Sequence, residues 1–307
     1  ANWRGSMDCW VFSNAKAGLS MWDDGNDSSN MNLSFDLWTN MDAGGANVLF
    51  GMGFGYSSND YVGAADTDVG TDCGAGTDET LPIGACYHHA ELNGVSPLPL
   101  ETMYLGEKVE YDENEINTLK NYKISKYTNV EQILSQVLDN KIIAVCRGRM
   151  EMGQRALGNR SIIADPRNIE NIQKINHSIK MRDFWMPFAP VVLFEKQEEL
   201  LINTKKIDSP FMTMTFNTID GKNKIPVGIH QSDQTARAQL LRKAQNPVLW
   251  ELINKFYEKT SIPALVNTSF NLHGEPIVKD LKDALRVFKN SGLDVLWLEN
   301  HIIEKIN

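Results

Sequence analysis

From residue 128 onward the chain alternates short apolar runs with segments of helical periodicity, and this order restricts the fold more than any other sequence feature. The run "KIIAVCRG" (141–148) is typical of a buried strand, and "VEQILSQVLDN" (130–140) repeats apolar residues at helical spacing. The same reasoning predicts further strands at 161–165, 189–194, 211–216, 262–271 and 293–300, and further helices at 169–180, 246–260 and 280–292. Strands and helices mix without strict alternation, so we expect a mixed α/β (α+β) fold.

Two of these helices carry terminal signals. Asn246 precedes Pro247 and is expected to be the N-cap of the helix at 246–260. Asp280 is expected to cap the helix at 280–292, and Gly292 to close it.

Charge divides the chain into two parts. Residues 1–100 hold 13 acidic and two basic residues, whereas residues 101–307 have a net charge of +2. Because 307 residues are enough for two domains, we predict one domain segment at 1–96, a linker at 97–125 and a second domain at 126–307.

Composition excludes several classes of protein. No apolar run reaches about 18 residues and no signal-peptide pattern opens the sequence, so we expect a cytoplasmic protein that does not cross a membrane. The four cysteines lack CxxC spacing, which agrees with a reducing compartment. The net charge of −9 argues against binding of long nucleic acids, which normally need a basic face.

The stretch "GRMEMGQRALGNRSIIADPR" (148–167), with Arg147 before it, concentrates positive charge on a backbone rich in glycine. Its arginines are Arg147, Arg149, Arg155, Arg160 and Arg167, opposed only by Glu151 and Asp165. Guanidinium groups bind phosphate and carboxylate oxygens, and glycines let backbone N–H groups approach the same anion. The pattern matches neither GxxxxGK[ST] nor GxGxxG, so we predict a different kind of anion site. The alternative is a salt-bridged surface turn.

Other segments offer polar groups that could join this site. "VNTSFNLHGEPIV" (266–278) leaves a buried strand with small polar side chains, and "IHQSDQTARAQ" (229–239) joins a histidine to an arginine. Ordinary polar turns are the alternative for both. "MRDFWMPFAPVV" (181–192) could support an adenine ring but is more typical of core packing. Neighbouring His88 and His89 point in different directions, which disfavours a metal site.

Four blocks together resemble a known family. "GRMEMGQRALGNRSIIADPR", "PFAPVV", "HQSDQTARAQ" and "NTSFNLHGEPIV" occur in the order and spacing of the C-terminal domain of the O-carbamoyltransferases, the family of the nodulation-factor and antibiotic carbamoyltransferases. The resemblance covers roughly residues 97–305, with "YLGE" (104–107) as its lead-in. Gln154 departs from it, because the family usually has proline there.

The resemblance implies a fold, substrates and a reaction. The C-terminal domain is expected to be YrdC-like and to convert carbamoyl phosphate and ATP into carbamoyl-adenylate, releasing pyrophosphate and phosphate. A Kae1-like N-terminal domain, of the actin/Hsp70 type, then transfers the carbamoyl group to a hydroxyl. Residues 35–55 resemble the closing segment of that domain, so Asp42 matches a ligand of its iron-type metal, with iron or magnesium as candidate ions. The family's upstream histidine pair is absent from this sequence, which suggests a fragment or a reduced acceptor domain.

The resemblance also implies roles for individual residues. Catalytic groups that meet phosphate and carbamoyl charge are expected at Arg149, Arg155, Arg160 and Lys180. Binding of substrate or nucleotide is expected from Arg182, His230, Arg237, Asn267, Ser269 and Asn271.

Two other functions stay open at this point. The first is a threonylcarbamoyl-adenylate synthase, an enzyme of related fold that uses bicarbonate, threonine and ATP. The second is a non-catalytic nucleotide- or RNA-binding module that keeps the basic pocket. For the carbamoyltransferase, the expected partners are a small-molecule or glycan acceptor and either a second copy or a missing N-terminal partner.

Overall fold

The computed structural model describes residues 86–96, 100–117, 119–153, 155–180 and 187–306. It divides the chain into two compact units, residues 1–100 and residues 101–307. The described part of the first unit contains helix α1 (86–92). No helix among the described residues is long and apolar enough to cross a membrane.

The second unit is built on an eight-stranded mixed sheet. Its strand order is β1-β11-β10-β2-β3-β9-β4-β8, and a separate antiparallel sheet has the order β5-β6-β7. The strands are β1 Tyr122–Lys126, β2 Ile143–Cys146, β3 Arg160–Ala164, β4 Ala189–Leu193, β5 Leu201–Ile202, β6 Phe216–Thr218, β7 Thr235–Ala236, β8 Gln239–Leu241, β9 Ala264–Ser269, β10 Val295–Trp297 and β11 His301–Lys305. The expected mixed α/β class is therefore confirmed.

Helices and short helical turns fill the connections. The α-helices are α2 Glu113–Asn117, α3 Glu131–Leu138, α4 Glu170–Ile175, α5 Gly221–Lys224, α6 Pro247–Thr260 and α7 Leu281–Lys289. A π-helical turn, Asn176–Lys180, follows α4, and 3-10 turns lie at Phe194–Glu199 and Pro226–Gly228.

The central strand β2 is apolar throughout because both faces of the sheet are covered. In β2, Ile143 and Val145 pack in the core that contains α3 and α6, whereas Ala144 and Cys146 pack in the core that contains α4 and α7. Successive residues of a strand point to opposite faces, so a short apolar run contributes side chains to the cores on both faces of the sheet. Burial raises the pKa of the Cys146 thiol to about 12, in agreement with a structural, unreactive cysteine.

The predicted helix starts are confirmed by their caps. The Asn246 side chain accepts a hydrogen bond from the Leu249 N–H, and the Asp280 side chain accepts one from the Asp283 N–H. The predicted end at Gly292 is wrong, because α7 ends at Lys289 with Asn290 as its C-cap.

The structure corrects two other expectations. Residues 211–215 form no strand, and only Phe216 of that prediction begins one. Residues 101–125 do not form the expected linker, because they belong to the second unit and Tyr122 begins the edge strand β1. The sequence pattern does not indicate this strand, because its side chains are only partly buried and it lacks a continuous apolar run.

Candidate functional site

One edge of the main sheet gathers the ends of four strands. The last residue of β2, Cys146, is paired with Arg160 at the start of β3, and Ser161 is paired with Ser269 at the end of β9. Ala189, at the start of β4, is paired with Asn267. The turn between β2 and β3, the loop after β9 and the segment before β4 therefore leave the sheet at the same edge.

Lys180 is the central charged group at this edge. It ends the π-helical turn and is buried, with 4% of its surface exposed. Its ammonium lies 3.0 Å from the Ser269 hydroxyl and 3.2 Å from the Asn271 carbonyl oxygen, and it also donates to the Ser269 carbonyl and the Asn271 side-chain oxygen. The structure thus joins three of the residues that the sequence assigned to the site.

The turn between β2 and β3 does not offer its glycine-rich backbone to a ligand in the expected way. The N–H groups of Leu157, Asn159 and Arg160 all donate to Oε1 of Glu151, at 2.8, 2.7 and 3.2 Å. The Gly158 N–H donates to the Ser161 hydroxyl at 2.8 Å. The expectation of backbone donors for a bound anion is therefore wrong for these four groups, because groups of the protein already occupy them.

Side chains from elsewhere in the unit hold the carbonyl groups of the same turn. Tyr104 and Gln239 donate to the Leu157 carbonyl at 2.7 and 3.0 Å, and Asn267 donates to the Ala156 carbonyl at 2.8 Å. Burial, with the Glu151 charge adding to it, raises the pKa of Tyr104 above its ordinary value. Tyr104 therefore remains a hydroxyl donor at neutral pH.

The arginines of the stretch differ in their surroundings. The Arg147 guanidinium packs against the rings of Tyr127 and Trp297, 4.6 Å from each centroid, and donates to the Leu298 and Glu299 carbonyls. Arg167 forms an ion pair with Asp165 at 2.6 Å. Arg147 and Arg167 therefore stabilise the folded structure through contacts within the protein.

Among the predicted catalytic arginines, Arg155 lies in the turn and is partly exposed. Arg149 is exposed, and its guanidinium donates to the Tyr104 and Leu105 carbonyls. Arg160 is fully buried, and its guanidinium donates to main-chain carbonyls, including those of Arg147 and Lys279. As placed, Arg160 binds the protein's own backbone.

The remaining predicted residues lie in different places. His230 contacts Asp233 at 3.1 Å and Ser232 at 3.2 Å, in the segment that leads to β7. Burial alone would raise the pKa of Asp233, but hydrogen bonds from Thr235 and His230 outweigh it and leave the pKa below its ordinary value. Arg237 is partly buried, two residues before β8. Arg182 and Asp42 lie outside the described residues.

No group of three or more histidine, cysteine, aspartate or glutamate side chains in the described part of the chain is arranged to hold a metal ion. His88 and His89 lie in α1 of the first unit. The Asn93 side-chain nitrogen lies 3.4 Å from the His89 ring and donates to the His89 carbonyl.

Sequence reasoning missed three residues that build this site: Glu151, Tyr104 and Gln239. Glu151 carried a usable signal, because it is one of only two acidic residues in the arginine-rich stretch. Tyr104 and Gln239 reach Leu157 from 53 and 82 positions away in the chain, so no local pattern could indicate them.

Comparison with known proteins identifies relatives of this chain. The family model described as "Carbamoyltransferase C-terminus" matches residues 134–305. An uncharacterized protein of Methanocaldococcus jannaschii is 38% identical over 238 residues, which are 75% of this chain and 45% of that protein.

Two named relatives match a shorter part of the chain. Nodulation protein NolO of Bradyrhizobium diazoefficiens is 41% identical over 53% of this chain and 30% of its own length. The 3'-hydroxymethylcephem-O-carbamoyltransferase of Amycolatopsis lactamdurans is 27% identical over 53% of this chain and 30% of its own length. The chain thus spans less than half the length of each of these three relatives.

Proposed function

The chain belongs to the carbamoyltransferase family through residues 134–305, and from this membership we propose that its second unit activates a carbamoyl group with ATP. The substrates in this proposal are carbamoyl phosphate and ATP. The products are carbamoyl-adenylate, pyrophosphate and phosphate.

The observation that carries the proposal is the buried ammonium of Lys180. Ser269 and Asn271 hold it at the sheet edge where the turn between β2 and β3 also lies. Carbamoyl phosphate and ATP are both strongly anionic, and a fixed cation in a dry site stabilises developing negative charge far better than one in water. A cation on a rigid sheet edge needs little reorganisation when the substrates react.

The reaction requires two bond exchanges. Water cleaves carbamoyl phosphate into carbamate and phosphate, with release of a proton. A carbamate oxygen then attacks the α-phosphorus of ATP, and the bond between that phosphorus and pyrophosphate breaks. Negative charge moves onto the departing phosphate and then onto pyrophosphate, so fixed cations near both leaving groups lower the barriers.

We assign residues to these steps by their surroundings. Lys180 and Arg155 meet the phosphate and carbamoyl charges, while Arg149, Arg182 and Arg237 supply further charge. Ser269, Asn271 and His230 bind the nucleotide or the carbamoyl group. We assign Asn267 and Arg160 to holding the turn, because their donors bind main-chain carbonyls of the turn itself.

For the second half-reaction we propose a hydroxyl acceptor on a small molecule or a sugar. The acceptor oxygen attacks the carbamoyl carbon, the bond from that carbon to the AMP phosphate oxygen breaks, AMP leaves, and the hydroxyl proton is released. The name of the Amycolatopsis relative, an O-carbamoyltransferase, supports this choice of atom. In the same proposal, Asp42 is a ligand to an iron or magnesium ion.

The test is pyrophosphate release from ATP by the full chain, measured with and without carbamoyl phosphate. We expect release that depends on carbamoyl phosphate. A folded chain that binds ATP yet releases no pyrophosphate would contradict the proposal and favour a binding module without catalysis. Release that needs bicarbonate and L-threonine instead of carbamoyl phosphate would favour the threonylcarbamoyl-adenylate synthase.

A further inference from the structure

The Glu151 carboxylate sits where an anion ligand would be expected. Three N–H groups of residues 157–160 converge on one of its oxygens, and only 3% of its surface is exposed. Successive backbone N–H groups that point at one spot form an anion-binding concavity. Here the chain's own carboxylate fills that concavity, so these three N–H groups are not available to a substrate.

The conformation of the turn requires glycine at position 158. Gly158 has φ +122°, and a Cβ at this position would lie 2.5 Å from the Leu249 side chain. A glycine can take this conformation but loses more chain entropy than any other residue on doing so. The charge-assisted bonds to Glu151 offset that cost, because they are roughly twice as strong as neutral hydrogen bonds.

The turn is also fixed to the part of the site that holds Lys180. Asn267 lies on β9 two residues before Ser269, and its side chain donates to both the Ala156 carbonyl and the Gln239 side chain. Glu151 holds the N–H groups of the turn while Asn267 holds one of its carbonyls. Arg155 directly precedes Ala156, so the backbone next to it is tied to β9.

We propose that Glu151 is a positioning residue for carbamoyl-group activation: it touches no substrate, and it sets the turn that presents Arg155. This inference rests on the proposed function. It predicts that loss of the Glu151 charge reduces catalysis through Arg155 rather than through a general loss of stability.

The first variant is Glu151→Gln, which keeps the shape and one oxygen acceptor. The second carboxylate oxygen, Oε2, is buried without a hydrogen-bond partner in the described part of the chain, so an amide nitrogen there breaks no bond. The matched control is Asp165→Asn, a buried carboxylate after the opposite end of β3. We expect Glu151→Gln to lower kcat/KM for carbamoyl phosphate about 10- to 100-fold, the range that a small misplacement of a catalytic group costs. We expect Asp165→Asn to leave kcat/KM within about threefold.

A double-mutant cycle separates positioning from stability. If Glu151 acts through Arg155, adding Glu151→Gln to Arg155→Lys will lower kcat/KM by no more than about threefold beyond Arg155→Lys alone. Losses that multiply, or an Asp165→Asn loss equal to that of Glu151→Gln, would overturn the proposal.

Hydrogen exchange gives a readout that does not depend on the reaction. In Glu151→Gln the amides of residues 157–160 should exchange faster, while those of β2 keep the protection they have in the wild-type chain. This holds even if the wild-type chain releases no pyrophosphate, in which case the proposed reaction fails while the structural part of the inference stands. Unchanged exchange at residues 157–160 would overturn the inference whatever the activity.

A second variant covers the case in which Glu151→Gln does not fold. Tyr104→Phe removes only the hydroxyl that holds the Leu157 carbonyl from the other side of the turn. We expect the same faster exchange at residues 157–160 and a smaller loss in kcat/KM for carbamoyl phosphate. Faster exchange at residues 157–160 with wild-type activity in this variant would show that the geometry of the turn does not control the site.

Discussion

At the residue scale, the same side-chain type has different roles within one short stretch. Arg147 packs against two aromatic rings, and Arg160 is fully buried against main-chain carbonyls. Arg155 is partly exposed in the turn. A guanidinium carries five donors in a rigid plane, so it can brace a backbone as well as it can bind a phosphate. Counting arginines in a sequence therefore overestimates the charge available to a substrate.

Arg155→Ala tests the arginine that we assign to the substrate. We expect loss of carbamoyl-phosphate-dependent pyrophosphate release, at least about 100-fold, because a fixed charge is removed from the transition state. The circular dichroism spectrum should not change. Arg242→Ala is the control, since Arg242 pairs with Asp208 after the far end of β8. Near-normal release by a folded Arg155→Ala protein would contradict the assignment.

Lys180→Met tests the buried ammonium with a side chain of similar length and no charge. Pyrophosphate release should be lost, and the free energy of unfolding should fall by about 1–3 kcal/mol, because buried oxygens of Ser269 and Asn271 lose a donor. Lys174→Met is the matched control from α4, because its partly exposed pair with Asp294 contributes at most about 1 kcal/mol. Denaturant unfolding and the release assay check both values. Equal activity in the two variants would exclude a special role for Lys180.

At the element scale, the elements with long periodic patterns were predictable and the short ones were not. The helices α3, α6 and α7 were predicted because apolar residues recur at helical spacing, and the last two also have capping side chains. By contrast, β8 has three residues and β1 is only partly buried, so neither leaves a distinct pattern. Such strands exist because their neighbours offer hydrogen bonds, and that information is not local.

The candidate site was predictable to a similar degree. Ser269 and Asn271 stood out as small polar residues after a buried strand, and the resemblance added the expectation for Lys180. The partners of Leu157 could not be predicted, because the fold brings them together from distant positions. The burial of Arg160 could not be predicted either. Arginine is seldom buried without partners, and the partners here are main-chain carbonyls, which the sequence does not reveal.

The two confirmed helix caps should differ in how much they contribute to the free energy of unfolding. Asp280→Ala should cost about 0.5–2 kcal/mol of stability, the usual range for loss of an N-cap. Asn246→Ala should cost more, because the Asn246 side chain also donates to the Tyr104 hydroxyl and the Asn159 side chain. Denaturant unfolding of the two variants measures the difference. An equal cost would mean that these two additional bonds contribute nothing to stability.

At the scale of the whole molecule, the lead-in segment is part of the folded second unit. Residues 103–109 run beside the arginine stretch, with main-chain hydrogen bonds from Gly106 to Met150 and from Met152 to Met103. Further along, β1 adds an edge strand by pairing with all five residues of β11. The second unit therefore begins near residue 101, although the sequence pattern becomes regular only from residue 128.

Two fragments that differ only in residues 101–125 test that boundary. A fragment of residues 101–307 should fold cooperatively and release pyrophosphate in a carbamoyl-phosphate-dependent way, because it contains the complete second unit. A fragment of residues 126–307 lacks four of the five residues of β1, which leaves β11 as an exposed edge, and lacks Tyr104, which holds the turn at Leu157. It should therefore unfold at lower denaturant concentration or aggregate. Equal stability and equal release in the two fragments would show that residues 101–125 are a linker after all.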